Sequence, residues 1–169
     1  NEIAKHETIY TRWQRVLVCG KGYQWFEDKL NIVGVRNSDT GKVVTNAFDD
    51  KITVSKKEGG VWKFYELDNT TDPGTKGVKE YHNAAGVARL VPGQYIDSWQ
   101  LGFHKQNQNH PALVQRLPVT VFRDNDRDNV AEEGKEFTGL FGINIHHASD
   151  TITSQIIDKW SAGCTVFPS

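Results

Sequence analysis

The sequence has no methionine, two cysteines and five prolines in 169 residues, and its basic and acidic residues nearly cancel, 20 against 21. Each shortage excludes something. Cys19 and Cys164 are too few for a disulfide framework and no spacing argument joins them, so both read as free thiols. Balanced charge without a long like-charge run argues against a nucleic-acid footprint or a polybasic membrane patch. No apolar run approaches the roughly 18 to 20 residues of a membrane helix, and no signal-peptide core opens the chain, so no membrane insertion is expected. The missing methionine at position 1 and the abrupt end after Cys164 lead us to expect a chain trimmed by processing or cut from a larger polypeptide.

A hydrophobic content of 37% over this length suits one buried core, so a single domain over residues 1–169 is expected. Five tryptophans, five tyrosines, eight phenylalanines and 15 glycines favour short strands joined by turns, and the fold reads as mainly β with few short helices. Strands are expected at 16–19, 30–35, 51–55, 61–67, 94–103, 119–123 and 142–146. Turn signals separate them at Ser38-Asp39-Thr40-Gly41, Asp72-Pro73-Gly74 and Pro92-Gly93, and Glu58-Gly59-Gly60 between two alternating runs marks a hairpin. Weaker helix signals lie at 2–15 and, after Pro111, at 112–115, while 152–160 fits no single period. No repeat or low-complexity linker divides the chain, although residues 1–45 could stand apart as an N-terminal extension.

The chemistry concentrates in the last third. Gly142-Ile143-Asn144-Ile145-His146-His147 ends an apolar strand in histidine, and Ser161-Ala162-Gly163-Cys164 is a turn of small residues carrying a thiol. A thiol nucleophile needs a base and a tight backbone site for an oxyanion, and these segments supply both. Alternation sends Ile143 and Ile145 to the core and Asn144 and His146 to the opposite face, with His147 pointing away from His146. Small residues let a carbonyl approach the amides of Gly163 and Cys164, and Ser161 could orient substrate or bond within the turn. In Trp99-Gln100-Leu101-Gly102-Phe103-His104, Trp99 and His104 are candidates to line a substrate groove, although core packing also suits Trp99.

This pairing of a strand ending in His with a later Ser-x-Gly-Cys turn resembles the L,D-transpeptidase catalytic domain, also called the YkuD domain. The matching residues are His146, Ser161, Gly163 and Cys164, and the variant is most similar to a divergent branch found in phage-associated and other bacterial proteins. The resemblance implies a β-sandwich or barrel-like catalytic region over 46–169. It makes Cys164 the nucleophile, His146 the base and later proton donor, and the Gly163 and Cys164 amides the oxyanion hole. The implied partner is the stem peptide of peptidoglycan, cut at an L-to-D bond through a cysteine thioester, with no cofactor. A peptidoglycan substrate implies work in the periplasm, cell envelope or extracellular space, with delivery by a phage as one route. Thr165-Val166-Phe167 follows Cys164 where the family usually has a nearby arginine, which favours hydrolysis over cross-linking. Asn144, His147, Trp99 and His104 are the substrate-binding candidates.

Other readings use the same residues. His104, His110, His146 and His147 could be zinc ligands of a peptidase, although no His-Glu-x-x-His pattern is present. A non-catalytic wall-binding or virion domain carrying a relic of the site is a third. Asp124-Asn125-Asp126-Arg127-Asp128 begins like a calcium loop, but Asn129 and Lys135 stand where Gly and Glu are needed, so it reads as a solvated turn. Asp49-Asp50 reads as structural.

Overall fold

A computed structural model describes residues 9–37, 43–80, 83–106, 110–130 and 133–169. Among them strands predominate, as expected. The Ser38-Asp39-Thr40-Gly41 turn lies outside the described residues. By internal contacts the chain forms two compact units, Asn1–Gly34 with Ile52–Leu67, and Val35–Lys51 with Asp68–Ser169. Residues 1–45 are thus shared between the two.

The first unit carries α1 (Ile9–Gln14), continued by a π-helical turn over Arg15–Cys19, and β1 (Asn31–Val35). The apolar run at 16–19 is therefore helical rather than a strand. Its stretch of β-branched residues is followed by Gly20, whose N–H closes the turn on the carbonyls of Val16 and Leu17. Most of β2 (Asp50–Glu58) and β3 (Val61–Asn69) also belongs here, in the order β1-β2-β3. Gly59 and Gly60 take φ of 57° and 81°, the two positive values that a two-residue hairpin needs to match strand twist, so the expected hairpin forms.

The second unit holds α2 (Thr75–Lys79) and two further sheets. One pairs β4 (Val87–Leu90) with β7 (Val119–Asp124) and β7 with β8 (Glu136–Gly139), all antiparallel. Ala88, Val119, Val121 and Ile143 form its core, with Leu90, Tyr95, Trp99 and Phe141 packed against them. The other has the order β10-β9-β6-β5, built from β5 (Trp99–Phe103), β6 (Pro111–Gln115), β9 (Ile145–His147) and β10 (Thr165–Phe167).

Residues 112–115 are a strand rather than a helical turn. Pro111 opens β6, where its missing N–H is tolerated, and each residue of the strand faces a partner in β5. The expected strand at 94–103 is shorter, because residues 94–98 turn through Asp97 at φ 55°. That expected at 142–146 shifts to 145–147, and 152–160 is a series of bends.

Buried polar groups tie the second unit together. Asp50, 2% exposed, accepts bonds from the Asn37 and Thr71 amides and the Thr71 hydroxyl, at 2.8, 2.7 and 2.6 Å. Asp124, Asp126 and Asp128 form a chain of bonds to the amides two residues on, a turn of the kind expected there. Asp72 receives Arg89 Nε at 2.7 Å and Arg36 Nε at 3.2 Å, and Arg89 also meets Glu133 at 3.2 Å. The Arg89 side chain is 5% exposed, so this cluster is a desolvated one in which each charge needs its partners. Asp72→Ala removes the carboxylate both arginines share, and urea unfolding should show a loss of about 3 kcal/mol. A loss under about 0.5 kcal/mol would mean that the arginines are satisfied without it.

Candidate functional site

Strand register assembles the site. The parallel pairing of β9 with β10 sets Thr165 beside Ile145 and Val166 beside His146, which brings Cys164 next to Asn144. The Thr165 amide bonds the Asn144 carbonyl at 2.9 Å. On the other side of β9, Ala112 of β6 lies opposite His146. β6 begins just after His110 and β5 ends just before His104, and the His104 amide closes on the His110 carbonyl at 2.8 Å. Lys105, at φ 51°, kinks the chain there. One end of the sheet therefore carries His104, His110, His146, His147, Asn144 and Cys164.

The turn before Cys164 is built for closeness. Ser161, 1% exposed, donates its hydroxyl to the Cys164 carbonyl at 2.8 Å and accepts the Gly163 amide at 3.1 Å. It is thus spent inside the turn rather than on a substrate. Gly163 sits at φ 138°, and a Cβ there would lie 2.6 Å from the Ala88 carbonyl oxygen, so only glycine fits. Because the Gly163 N–H is occupied by Ser161, the oxyanion role expected of that amide needs another donor.

His146 is 3% exposed and its ring is oriented through Nδ1, which lies 2.8 Å from the His147 carbonyl. That carbonyl can only accept, and His110 Nε2 approaches it too, at 2.9 Å, while lying 3.3 Å from His146 Nδ1; with both rings donating to the carbonyl, Nδ1 carries the proton and Nε2 keeps its lone pair. Nε2 is buried and has no hydrogen-bond partner among the described residues. A ring nitrogen of His146, one of His104 and Cys164 Sγ all lie within 4.8 Å of one another. The His104 and His146 rings stack at 3.9 Å between centroids. Cys164 is half-buried, and its thiol points to the Gly142 carbonyl at 3.5 Å.

Burial sets the charge state. Desolvation pushes His104 and His146 down to about 4, with neighbouring cationic charge adding to the effect, so both are neutral imidazoles at neutral pH. Desolvation pushes the Cys164 thiol up, against smaller opposing effects of a backbone bond at Asn144 and the charge of Lys105. The resting pair is therefore thiol and imidazole rather than thiolate and imidazolium.

The remaining candidates take other places. His147 stacks on His110 at 4.2 Å and its Nε2 meets Asp150 at 2.5 Å, while the same His110 ring meets His146 edge-on at 5.3 Å between centroids. His110 Nδ1 meets the other Asp150 oxygen at 3.3 Å, and its Nε2 lies 2.9 Å from the His147 carbonyl. Sequence reading had considered His110 as a zinc ligand and missed this place beside the His146 ring. Asn144 holds the Gln115 amide on Oδ1 at 3.0 Å and meets His104 Nδ1 through Nδ2 at 3.2 Å, so it positions other residues rather than a substrate. Trp99, expected to line a groove, donates its indole N–H to the Ile143 carbonyl at 2.7 Å and packs on the core, so the packing role holds. A cavity of about 200 Å³ is lined by His104, Lys105, His110, His146, Lys159 and Trp160, and Cys164 is not part of its wall.

Among the described residues, two sets of three donors could be asked to hold a metal: His104, His146 and Cys164, and His110, His147 and Asp150. In each set the two imidazoles are stacked, at interplanar angles of 23° and 13°. Stacked rings send their in-plane lone pairs along parallel lines instead of converging on one ion, so a metal would require a ring to rotate. No protein-family model, curated protein sequence or solved structure matches this chain.

The raised thiol has a direct consequence for pH. Since burial disfavours the thiolate, a smaller fraction of Cys164 ionises at pH 7.5 than of a free thiol, and the fraction still grows above pH 9. In a Cys19→Ser background, alkylation of Cys164 by iodoacetamide should be slower than that of glutathione at pH 7.5 and keep rising past pH 9. A plateau below pH 8 would show a preformed ion pair instead.

Proposed function

We propose that this protein is a thiol acyltransferase or peptidase acting through Cys164 and His146. The observation that carries the reading is the orphaned, buried Nε2 of His146, the unprotonated nitrogen of a ring fixed by the His147 carbonyl, in a residue that brings one ring nitrogen within 4.8 Å of Cys164 Sγ. A buried acceptor without a donor costs about 1 to 3 kcal/mol, and a thiol proton arriving during reaction removes that cost.

The steps follow from the resting charges. Cys164 turns from the Gly142 carbonyl toward His146. Sγ attacks the scissile carbonyl carbon as its proton passes to Nε2, because the neutral pair must transfer the proton together with bond formation. The tetrahedral oxyanion collapses, the C–N bond breaks, and His146 returns the proton to the leaving amine. A thioester remains on Cys164. Water or an acceptor amine then gives a proton to His146 and attacks the thioester. The C–S bond breaks and the thiol is reprotonated.

The substrate proposed is the peptidoglycan stem peptide, on the resemblance of His146 and Ser161-Ala162-Gly163-Cys164 to L,D-transpeptidases. Hydrolysis is favoured over cross-linking, since Thr165-Val166-Phe167 supplies no arginine beside the nucleophile. A cell-envelope or extracellular place of action goes with that substrate. The second reading, a metal-dependent peptidase, draws on the two donor sets, and the stacking of their rings weighs against it.

Product masses from a defined disaccharide-tetrapeptide muropeptide separate these readings. Turnover should vanish in Cys164→Ala and persist in EDTA, whereas loss to EDTA with retention in the alanine variant would overturn the thiol mechanism. Unchanged muropeptide masses with the native protein would overturn the substrate. His146→Ala should cost about 10³ in rate and His147→Ala far less, because the His147 carbonyl rather than its ring orients the base. Equal losses would contradict the assigned roles.

A further inference from the structure

We infer that His104 is a catalytic residue, donating its Nε2–H to the oxyanion that forms on the substrate carbonyl. The inference rests on the thiol reading above and assigns the donor that the turn itself lacks.

The protonation of His104 follows from three bonds read in order. The Gln115 backbone amide can only donate, so the Asn144 side-chain atom 3.0 Å from it is the oxygen, Oδ1. The other side-chain atom of Asn144 is therefore the amide nitrogen, which donates to His104 Nδ1 at 3.2 Å. A ring that accepts at Nδ1 and is neutral carries its proton on Nε2.

The ring is also in the right company. It lies face to face with His146 at 3.9 Å, lines the cavity with it, and brings one of its ring nitrogens within 4.8 Å of Cys164 Sγ. The two stacked imidazoles thus have opposite tautomers, a free lone pair on His146 Nε2 for the thiol proton and an N–H on His104 Nε2. Both stay neutral at working pH, since desolvation holds each near 4. A neutral N–H suits a developing oxyanion because it stabilises the charge without surrendering its proton.

The need is equally specific. Of the two amides expected to hold the oxyanion, that of Gly163 is engaged by Ser161 Oγ at 3.1 Å. His104 supplies a second donor beside the Cys164 amide. Gln115 locks the arrangement further back: its Oε1 accepts the Phe141 and Ile143 amides, both at 3.0 Å, and its Nε2 donates to the Leu117 and Gly139 carbonyls, both at 2.9 Å. The Asn144 hydrogen bond to His104 is therefore held by a side-chain and backbone network that is fixed before substrate arrives.

Two small probes test this without knowledge of the natural substrate. p-Nitrophenyl acetate acylates a thiol through a tetrahedral oxyanion, whereas iodoacetamide alkylates it by displacement without one. In a Cys19→Ser background, His104→Phe keeps the ring stack and removes the N–H. Acylation of Cys164 should fall about 10²-fold while alkylation changes less than about threefold, and His104→Gln, which restores an N–H donor, should recover part of the acylation rate. Unchanged acylation in His104→Phe, or acylation and alkylation falling together, would overturn the assignment. Nitrophenol release that persists in Cys164→Ala would instead overturn the thiol reading itself, so the two failures are distinct.

Discussion

The parallel pairing of Ile145–His147 with Thr165–Phe167 is the constraint on which the site depends. Cys164 and His146 are far apart in sequence, and only this register places the turn that precedes β10 beside the residue that precedes His146's neighbour. The same strand, β9, pairs on its other edge with β6, whose first residue follows His110. One short strand thereby orders the thiol on one side and the imidazole cluster on the other. Gly163 and Ser161 serve this pairing by letting the chain pass against the Ala88 carbonyl and enter β10 at the required angle.

Burial then decides the chemistry. Desolvation keeps the two stacked imidazoles neutral and the half-buried thiol protonated, so the cluster rests uncharged. Tautomers, not charges, distinguish the roles. The His147 carbonyl fixes the proton of His146 on Nδ1, and the amide chain from Gln115 through Asn144 fixes that of His104 on Nε2. Both chains of contacts end on backbone groups, which cannot change between donor and acceptor.

Local chemistry was legible in the sequence, and long-range register was not. Gly59-Gly60 announced its hairpin because two positive φ values leave little choice of residue, and aromatic and β-branched runs announced β1, β2, β3 and β7. Alternation misjudged β9: His146 is buried while Ile145, expected in the core, is half-buried, and the His146 and His147 rings both meet His110. The run at 16–19 has strand composition yet coils, since propensity yields to context. By sequence Pro111 suits the opening of a helical turn, but a proline starts a strand equally well where no partner awaits its N–H. The short β8 offered too few residues to show a period. His110 and the positioning role of Asn144 lay beyond reach, because nothing local says that the end of β5 and the start of β6 meet β9. Trp99 looked like a groove residue from its position beside His104, and its indole bond to the Ile143 carbonyl is again a contact between distant segments.

The central claim is that Cys164 carries the acyl group of the substrate. Intact-protein mass spectrometry after rapid acid quench of a reaction with a tetrapeptide muropeptide, followed by peptide mapping, reads this directly. The account predicts a stem-peptide acyl adduct on Cys164, released by hydroxylamine as a thioester must be. Rapid turnover with no adduct at any quench time, or an adduct mapped to another residue, would contradict it.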